Sequence, residues 1–512
     1  MFESSTGLEA MDLHCECCVP PPPLLLCQRG PRQRRTTFLQ PSSSVLPLCC
    51  LPCASETEGQ RGDSRFRGDV GVAFSQVLSD TSQKQSQIGA EVSRIAAKAW
   101  GVDGNGDPAA AGGFGSVLSS EAFGEDGKVL FTLAFGNVTA IDTTEGLVMI
   151  DTGVPTLARG LYRRIREFSG KPIRAVIYTH GHLDHAAFHA LPFEHEHVER
   201  GYPRTQVIAH ENLPARLDRY KATAGYNMYI NDRQFQVKGP ADRYSRLRYP
   251  DTTFSTRMSL TVGSEDFELI HAKGETDDGT IIWSPRRKFL WSGDLWIWNV
   301  PNCGNPQKVQ RYPMEWSAAL KSMADFGAEV LFPGHGPPII GAARIRQAFL
   351  ETAEFLDSII GQCMDAMNAG LTLNQLLHTV QIPDQSKRVY LRSTYDDPRF
   401  IISNMWRRYA GWWDQDPAHL IPADNSQLSI QICEAAGGPL KLAEKALEVM
   451  VKDVATATQL VEYASVAAPG DTAVHRIRAE VYRRRKESER SLMAQSIFRD
   501  AEQASLRVLG KL

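Results

Sequence analysis

Through the middle of the chain, apolar residues come in short runs of four to six, each closed by a polar or glycine-rich turn. Val129–Ala134, Val138–Asp142 and Leu147–Ile150 read as strands on this pattern. Leu157 to Glu167 changes to helical spacing and is expected to cover a sheet, until Lys171-Pro172 breaks it. A β-branched and aromatic run, Ala175–Tyr178, then reads as a buried strand. Thr205–His210, Phe254–Val262, Glu265–His271, Lys288–Gly293 and Glu329–Phe332 continue the series. Strand, helix, strand order with short loops predicts α/β layers. From Ala342 the period becomes 3.6, with Ile345, Phe349, Ala353, Leu356, Ile360 and Cys363 on one face and Gly370 as the stop. Pro439–Met450, Val454–Ala467 and Asp471–Glu487 are read as helical hairpins.

Length and composition narrow the picture. At 512 residues the chain has room for two or three domains and a sizeable core. A net charge of −3 predicts no nucleic-acid partner. No apolar run approaches the roughly 18 residues of a membrane span, so the body is expected to be soluble with no integral membrane segment. Seven of the ten cysteines lie before residue 54; Cys303, Cys363 and Cys433 are too scattered for a disulfide framework. Residues 1–85 lack periodicity and are expected to form a disordered or targeting extension. Val19 to Ser55 has no acidic residue, as in an organellar transit segment, although Glu3, Glu9, Asp12 and Glu16 precede it. The compartment is therefore cytoplasmic or organellar on this reading. Residues 86–116 hold one amphipathic helix, Ser86–Trp100, and a linker.

The chemistry concentrates where the strand Ala175–Tyr178 ends. His180, His182, Asp184 and His185 put four metal-capable side chains in six positions. Residues two apart point the same way in a turning backbone, so His180 and His182 can face one cation while Asp184 and His185 face a neighbour. Glu194-His195-Glu196-His197 also has ligand types, but it alternates with carboxylates in a polar stretch and is read as a solvated face. His210 is taken as structural. Lys221–Phe235 is aromatic without a clear period.

The cluster resembles the signature of metallo-β-lactamase-fold hydrolases, and further motifs follow in that family's order: Asp151-Thr152-Gly153, Gly274-Glu275-Thr276, Gly293-Asp294 and Pro333-Gly334-His335-Gly336. Glutamate at 275, where the family usually has histidine, and a long helical tail point to the alkyl sulfatase branch. Tyr395–Phe400 through Asn404–Asp414 is similar to the segment preceding that branch's dimerisation helices. The resemblance implies an αββα four-layer sandwich over residues 117–341 and an all-α dimerisation domain over 342–512. It also implies a homodimer and two divalent ions, zinc first. His180, His182 and Glu275 would hold one ion, Asp184, His185 and His335 the other, and Asp294 would bridge them; Asp151 would orient a ligand histidine.

The expected activity is hydrolysis of a small alkyl sulfate or related ester by a metal-activated water. Asp184, Asp294, Asn302 and Arg311 carry the catalytic roles. Asn302 matches a sulfate-contacting asparagine of the family, Lys308 and Arg311 are the nearby cations, and Trp296 and Trp298 are candidates for an apolar wall. Asp294 stands where alkyl sulfatases have glutamate, Glu275-Thr-Asp-Asp replaces their acidic motif, and Pro301 replaces a histidine. Hydrolysis of acyl esters, thioesters or lactones is the second reading. A non-catalytic helical scaffold is the third, against which stand the intact ligand types at all seven positions.

Overall fold

A computed structural model describes residues 90–107, 118–236, 238–239, 244 and 246–512. The expected extension 1–85 lies outside the described residues, as do Ser86–Gly89 of the first helix, which is seen as Glu91–Trp100.

Two sheets form the centre. The first carries β1 Ser119–Phe123, β2 Val129–Leu133, β3 Val138–Thr143, β4 Gly146–Ile150, β5 Ile173–Ile177, β6 Gln206–His210 and β7 Thr252–Phe254 in sequential order. Neighbours are antiparallel up to β4 and parallel from β4 to β7. The second runs β13 (Ile339–Ile340), β12 (Val330–Pro333), β11 (Phe289–Gly293), β10 (Thr280–Ser284), β9 (Glu265–His271) and β8 (Arg257–Val262). The expected single strand Phe254–Val262 is in fact two. Phe254 ends β7 in one sheet and Arg257 opens β8 in the other, so Ser255-Thr256 carries the chain between layers.

Because successive strand residues point to opposite faces, each central strand feeds two cores. Val148, Ile150, Ala175 and Ile177 meet Phe267, Ile282, Trp291 and Phe332 between the sheets. Leu147, Met149, Val176 and Tyr178 face outward, against Leu161 and Ile165 of the helix Ala158–Phe168 and Leu213 and Leu217 of the helix Leu213–Ala222. On the far side, Ile281, Leu290 and Leu331 pack against the helices Pro313–Ala324, Ala342–Asn368 and Pro398–Tyr409. The layers are therefore helix, sheet, sheet, helix.

That third core has no break at residue 342, where the sequence pattern divides the chain. Ile345, Phe349 and Leu356 share it with Leu290, and so do Ile401, Ile402 and Met405. An independent apolar cluster appears only later, where Cys433, Leu442, Ala446, Val461 and Val474 join the helices Asn425–Ala435, Pro439–Met450, Val454–Ala467 and Thr472–Glu487. The last helix, Leu492–Val508, returns to the helix Ala224–Phe235. No described helix is long and apolar enough to cross a membrane.

Trp296 and Trp298 belong to the third core and not to a substrate wall. They are 1% and 7% exposed. Their rings meet edge to face, and their indole N–H groups donate to Thr352 Oγ1 and the Pro337 carbonyl. The helix Ala342–Asn368 covers the side that would have faced a ligand. The reading of Glu194–His197 as a solvated face also needs correcting. The stretch lies in the helix Phe193–Arg200, whose turn exposes His195 and buries Glu196 and His197. Glu196 pairs with Arg166 at 2.8 Å, and His197 Nε2 accepts the Ile173 N–H at 3.1 Å.

Candidate metal centre

Five loops at one edge of the two sheets supply the site, as strand ends in α/β sheets commonly do. They follow β4 (Asp151), β5 (His180–His185), β9 (Glu275), β11 (Asp294) and β12 (His335). Four of these strands, β4, β5, β11 and β12, are buried on nearly every residue, and β9 is buried on one face, so the side chains start from fixed positions.

Four histidines converge, and partners set the tautomers of three of them. Asp151 adopts a left-handed backbone (φ 57°), which turns its carboxylate back under the β5 loop. It accepts from the Thr179 N–H and Oγ1, both at 2.7 Å. The Thr179 hydroxyl, having donated, can only accept from His180 Nδ1 at 3.0 Å. Likewise His185 Nδ1 lies 2.8 Å from Asp151 Oδ2, and His335 Nδ1 donates to the Phe135 carbonyl. The Nε2 lone pairs of His180, His185 and His335 are thereby directed inward. His180 Nε2 stands 2.9 Å from His182 Nδ1, and His185 Nε2 3.3 Å from His335 Nε2.

Carboxylates close the two groups. Glu275 Oε2 lies 3.2 Å from His182 Nδ1 and 3.5 Å from His180 Nε2. Asp184 Oδ2 lies 3.5 Å from His185 Nε2 and 3.4 Å from His335 Nε2. Asp294 touches both groups, with Oδ2 at 3.8 Å from His180 and 3.3 Å from His335, and Oδ1 at 3.5 Å from His185. His180, His182, Glu275 and Asp294 thus form one potential metal-holding set and Asp184, His185 and His335 a second. Glu275 Oε2 and Asp294 Oδ1 are buried with no hydrogen-bond partner. Buried carboxylate oxygens without a hydrogen-bond partner, set among inward-facing imidazole nitrogens, need a cation between them, and this donor set fits metal ions.

The electrostatics divide the same way. Burial drives His180 and His182 well below the usual imidazole range, with the His185 charge and the Arg311 guanidinium respectively adding to it. Burial acts on His185 and His335 too, but the carboxylate field of Asp294 and Asp184 overrides it, pushing His185 up and His335 to about 10.

Asp278, the competing carboxylate on the Glu275 loop, is turned away. It is fully buried, its Oδ1 lies 3.3 Å from Arg216 Nε, and it belongs to neither set. Asn302 and Arg311 are both drawn to Glu275. Asn302 Nδ2 donates to Glu275 Oε1 at 2.5 Å, while Arg311 Nη1 lies 3.0 Å from that oxygen and donates to the Glu275 carbonyl. Tyr226 and Tyr229 are mostly exposed, and Asn227 is engaged with Thr223 in its own helix. His210 is tied to the Ser255 carbonyl at 2.7 Å and stacks on His271.

Sequence reading missed several supports. Asn137 Nδ2 donates to the Pro333 and Gly336 carbonyls and so fixes the His335 turn. Gly334 lies against Asp294 Oδ1 with no space for a Cβ, which explains the Pro-Gly-His order physically. Asn404, in the helix Pro398–Tyr409, brackets Arg311. Only the Gly334 contact had a signal, its place beside His335.

Comparison with known proteins agrees with this architecture. Residues 131–335 match the metallo-beta-lactamase superfamily model, and residues 372–507 match the alkyl sulfatase dimerisation model. A linear primary-alkylsulfatase of a Pseudomonas sp. is 25% identical over 366 residues, covering 67% of this chain and 69% of that protein. An (R)-specific secondary-alkylsulfatase of a Pseudomonas sp. is 24% identical over 330 residues, 59% of this chain but only 49% of the relative. The solved structure of the inverting sec-alkylsulfatase Pisa1 from Pseudomonas sp. superposes with a TM-score of 0.67 at 21% identity, over 76% of this chain and 66% of the other. The chain thus carries a metallo-β-lactamase superfamily domain followed by a region matching the alkyl sulfatase dimerisation domain, and its sequence is similar to alkylsulfatases.

Proposed function

We propose that the chain is a binuclear metal-dependent hydrolase cleaving alkyl sulfate or related sulfate esters with water, giving an alcohol and inorganic sulfate. The observation that carries this reading is the convergence of seven side chains from separated motifs into two adjoining sets, on a chain with alkylsulfatase relatives. His180, His182 and Glu275 would hold one divalent ion, Asp184, His185 and His335 the other, and Asp294 both. Zinc suits so many imidazoles, although Glu275 makes the first set harder and more anionic than a third histidine would. Ions bound there would lower the pKa of a water toward neutrality and polarise the ester.

The chain's own residues supply the rest. Asp184 is the most exposed carboxylate of the set at 22%, and it is placed to accept a hydrogen bond from the attacking water. Lys308 is a cation available for the ester's negative charge. Its ammonium donates to Asn231 Oδ1 at 2.7 Å and has no carboxylate partner among the described residues. Arg311 and Asn302 act on Glu275 and hold its second oxygen toward His180 and His182. The helical C-terminal region would join two chains into a homodimer, in keeping with the family model that it matches.

One observation favours a second reading. The two residues that would clamp a sulfate, Asn302 and Arg311, are occupied by Glu275, leaving a less anion-selective site open to acyl esters, thioesters or lactones. Elemental analysis, together with turnover of primary alkyl sulfates of increasing length and of acyl esters, tests both. About two ions per chain, with sulfate release lost on chelation, is the expected result. Protein that takes up no zinc or manganese on reconstitution would sink both readings, and turnover of acyl esters alone would select the second.

A further inference from the structure

The loop between Asp294 and the helix Pro313–Ala324 carries Asn302 and Arg311, and it does not hold itself in place. It is laid along the segment 392–404, which lies beyond the matched hydrolase region and within the one matched as a dimerisation domain. Asn299 Oδ1 accepts from the backbone N–H groups of Thr394 and Tyr395 at 3.0 and 3.2 Å and from Thr394 Oγ1 at 2.9 Å. The Val300 N–H donates to the Arg392 carbonyl at 3.3 Å. Gly304 lies flat against the Phe400 backbone, where a Cβ would collide.

The contact nearest the metal centre is made by Asn404, which is 4% exposed. Its Oδ1 accepts the Arg311 N–H at 3.2 Å and its Nδ2 donates to the Arg311 carbonyl at 3.2 Å. One side-chain amide thus satisfies both polar groups of one buried residue, as a neighbouring strand would. Gln310 Nε2 adds a second bond to the same Oδ1 at 3.0 Å and shares the Arg311 carbonyl with Asn404, donating to it at 2.7 Å. Arg311 is itself 2% exposed, so its guanidinium has little freedom once the backbone is pinned. It delivers Nη1 to Glu275, leaving Glu275 Oε2 to face His180 and His182.

We propose that Asn404 is a positioning residue for the metal centre, acting through Arg311 on Glu275, so that the region matched as a dimerisation domain also completes the hydrolase site. This rests on the metal-site reading above, and the two are separable by experiment. The protein is stripped with chelator and titrated with zinc against a competing indicator, as wild type, Asn404→Leu, Arg311→Met and the double variant. In wild type two ions should bind. Asn404→Leu keeps the volume and removes both hydrogen-bonding atoms, and it should weaken only the His180/His182/Glu275 ion, by about 10–100-fold. The double variant should be no weaker than Arg311→Met alone, because both act along one path. Oligomeric state and helical content should not change.

Two ions at wild-type affinity in Asn404→Leu overturn the proposal and leave the metal-site reading standing. Equal weakening of both ions, or additive losses in the double variant, also overturn it, since a general loss of packing would behave so. Where Asn404→Leu yields no folded protein, Asn404→Asp, which keeps the acceptor and loses the donor, should weaken the first ion selectively by a smaller factor. Wild type that binds no zinc removes the metal-site reading and this inference together.

Discussion

Asp151 Oδ2 lies 2.8 Å from His185 Nδ1, across 34 residues of sequence, and the same carboxylate also receives both donors of Thr179. One buried side chain therefore orients His185 directly and His180 through the Thr179 hydroxyl. Replacing Asp151 with Asn keeps a residue tolerant of the left-handed backbone but places an amide where a pure acceptor is required. Asp151→Asn should retain the fold by thermal melting and lose about 10–100-fold in affinity for the His185 ion. Zinc titration returning two undiminished sites would show that the carboxylate does not set the tautomer.

Glu275 and Asp278 sit three residues apart and should respond oppositely. Glu275→Ala removes a donor from the first set, so metal uptake should fall by one ion and turnover by several orders of magnitude; Glu275→His should restore binding. Asp278 is fully buried against Arg216, which is 6% exposed. Asp278→Ala leaves that guanidinium only the partly exposed Asp277, so stability should fall, though by less than the roughly 3–5 kcal/mol of a fully unpaired buried charge. Denaturation and metal analysis of both variants separate the roles, and an ion lost from Asp278→Ala would reassign the ligand.

Lys308 should give the proposed hydrolysis a basic limb. Burial first, then the Arg311 charge, with Arg219 adding, outweigh the attraction of Glu275 and Asp184 and lower its ammonium to about 7. The charged form is therefore present below pH 7 and is lost as the pH rises through that value. If it meets the ester's anion, kcat/KM for an alkyl sulfate should fall above about pH 7, while bound substrate, by favouring the ammonium, moves the limb in kcat to higher pH. Lys308→Met should raise KM and abolish that limb, and Lys308→Arg should move it out of range. Unchanged profiles in both variants would remove Lys308 from the site.

Trp412 and Ile421 are 74% and 88% exposed within the matched dimerisation region. A homodimer would bury such side chains in a self-complementary patch. Trp412→Glu with Ile421→Glu should give monomers by light scattering at micromolar concentration, with metal content intact. A persisting dimer would place the interface elsewhere.

Much of this molecule was legible before folding. The ligand types were readable because they cluster at strand ends in a fixed order. The helices from Pro439 to Glu487 were readable because alanine-rich 3.6 periodicity and Asp caps at Asp453 and Asp471 delimit them locally. What failed was anything decided by a distant segment. Trp296 and Trp298 resemble a ligand wall until the helix Ala342–Asn368 is seen to cover them. Glu196 and His197 resemble a surface until the helical turn points them at Arg166 and Ile173. Asn404 carries no local signal, because its partner lies 93 residues away.

That separation bears on how the protein is made. The loop holding Glu275 reaches its final support only after another 93 residues beyond Arg311 have been translated, which takes about 5–20 s at ordinary elongation rates. In that interval the helices that cover Leu290 and Leu331 on the outer face of the second sheet, and Trp296 beside it, are still being made, and the last of them, Pro398–Tyr409, is completed only after Asn404. The nascent chain thus passes through a stage with exposed apolar surface and a loosely held carboxylate. Metal loading should accordingly follow release from the ribosome, and a chain stalled before Asn404 would be a substrate for chaperones rather than for zinc.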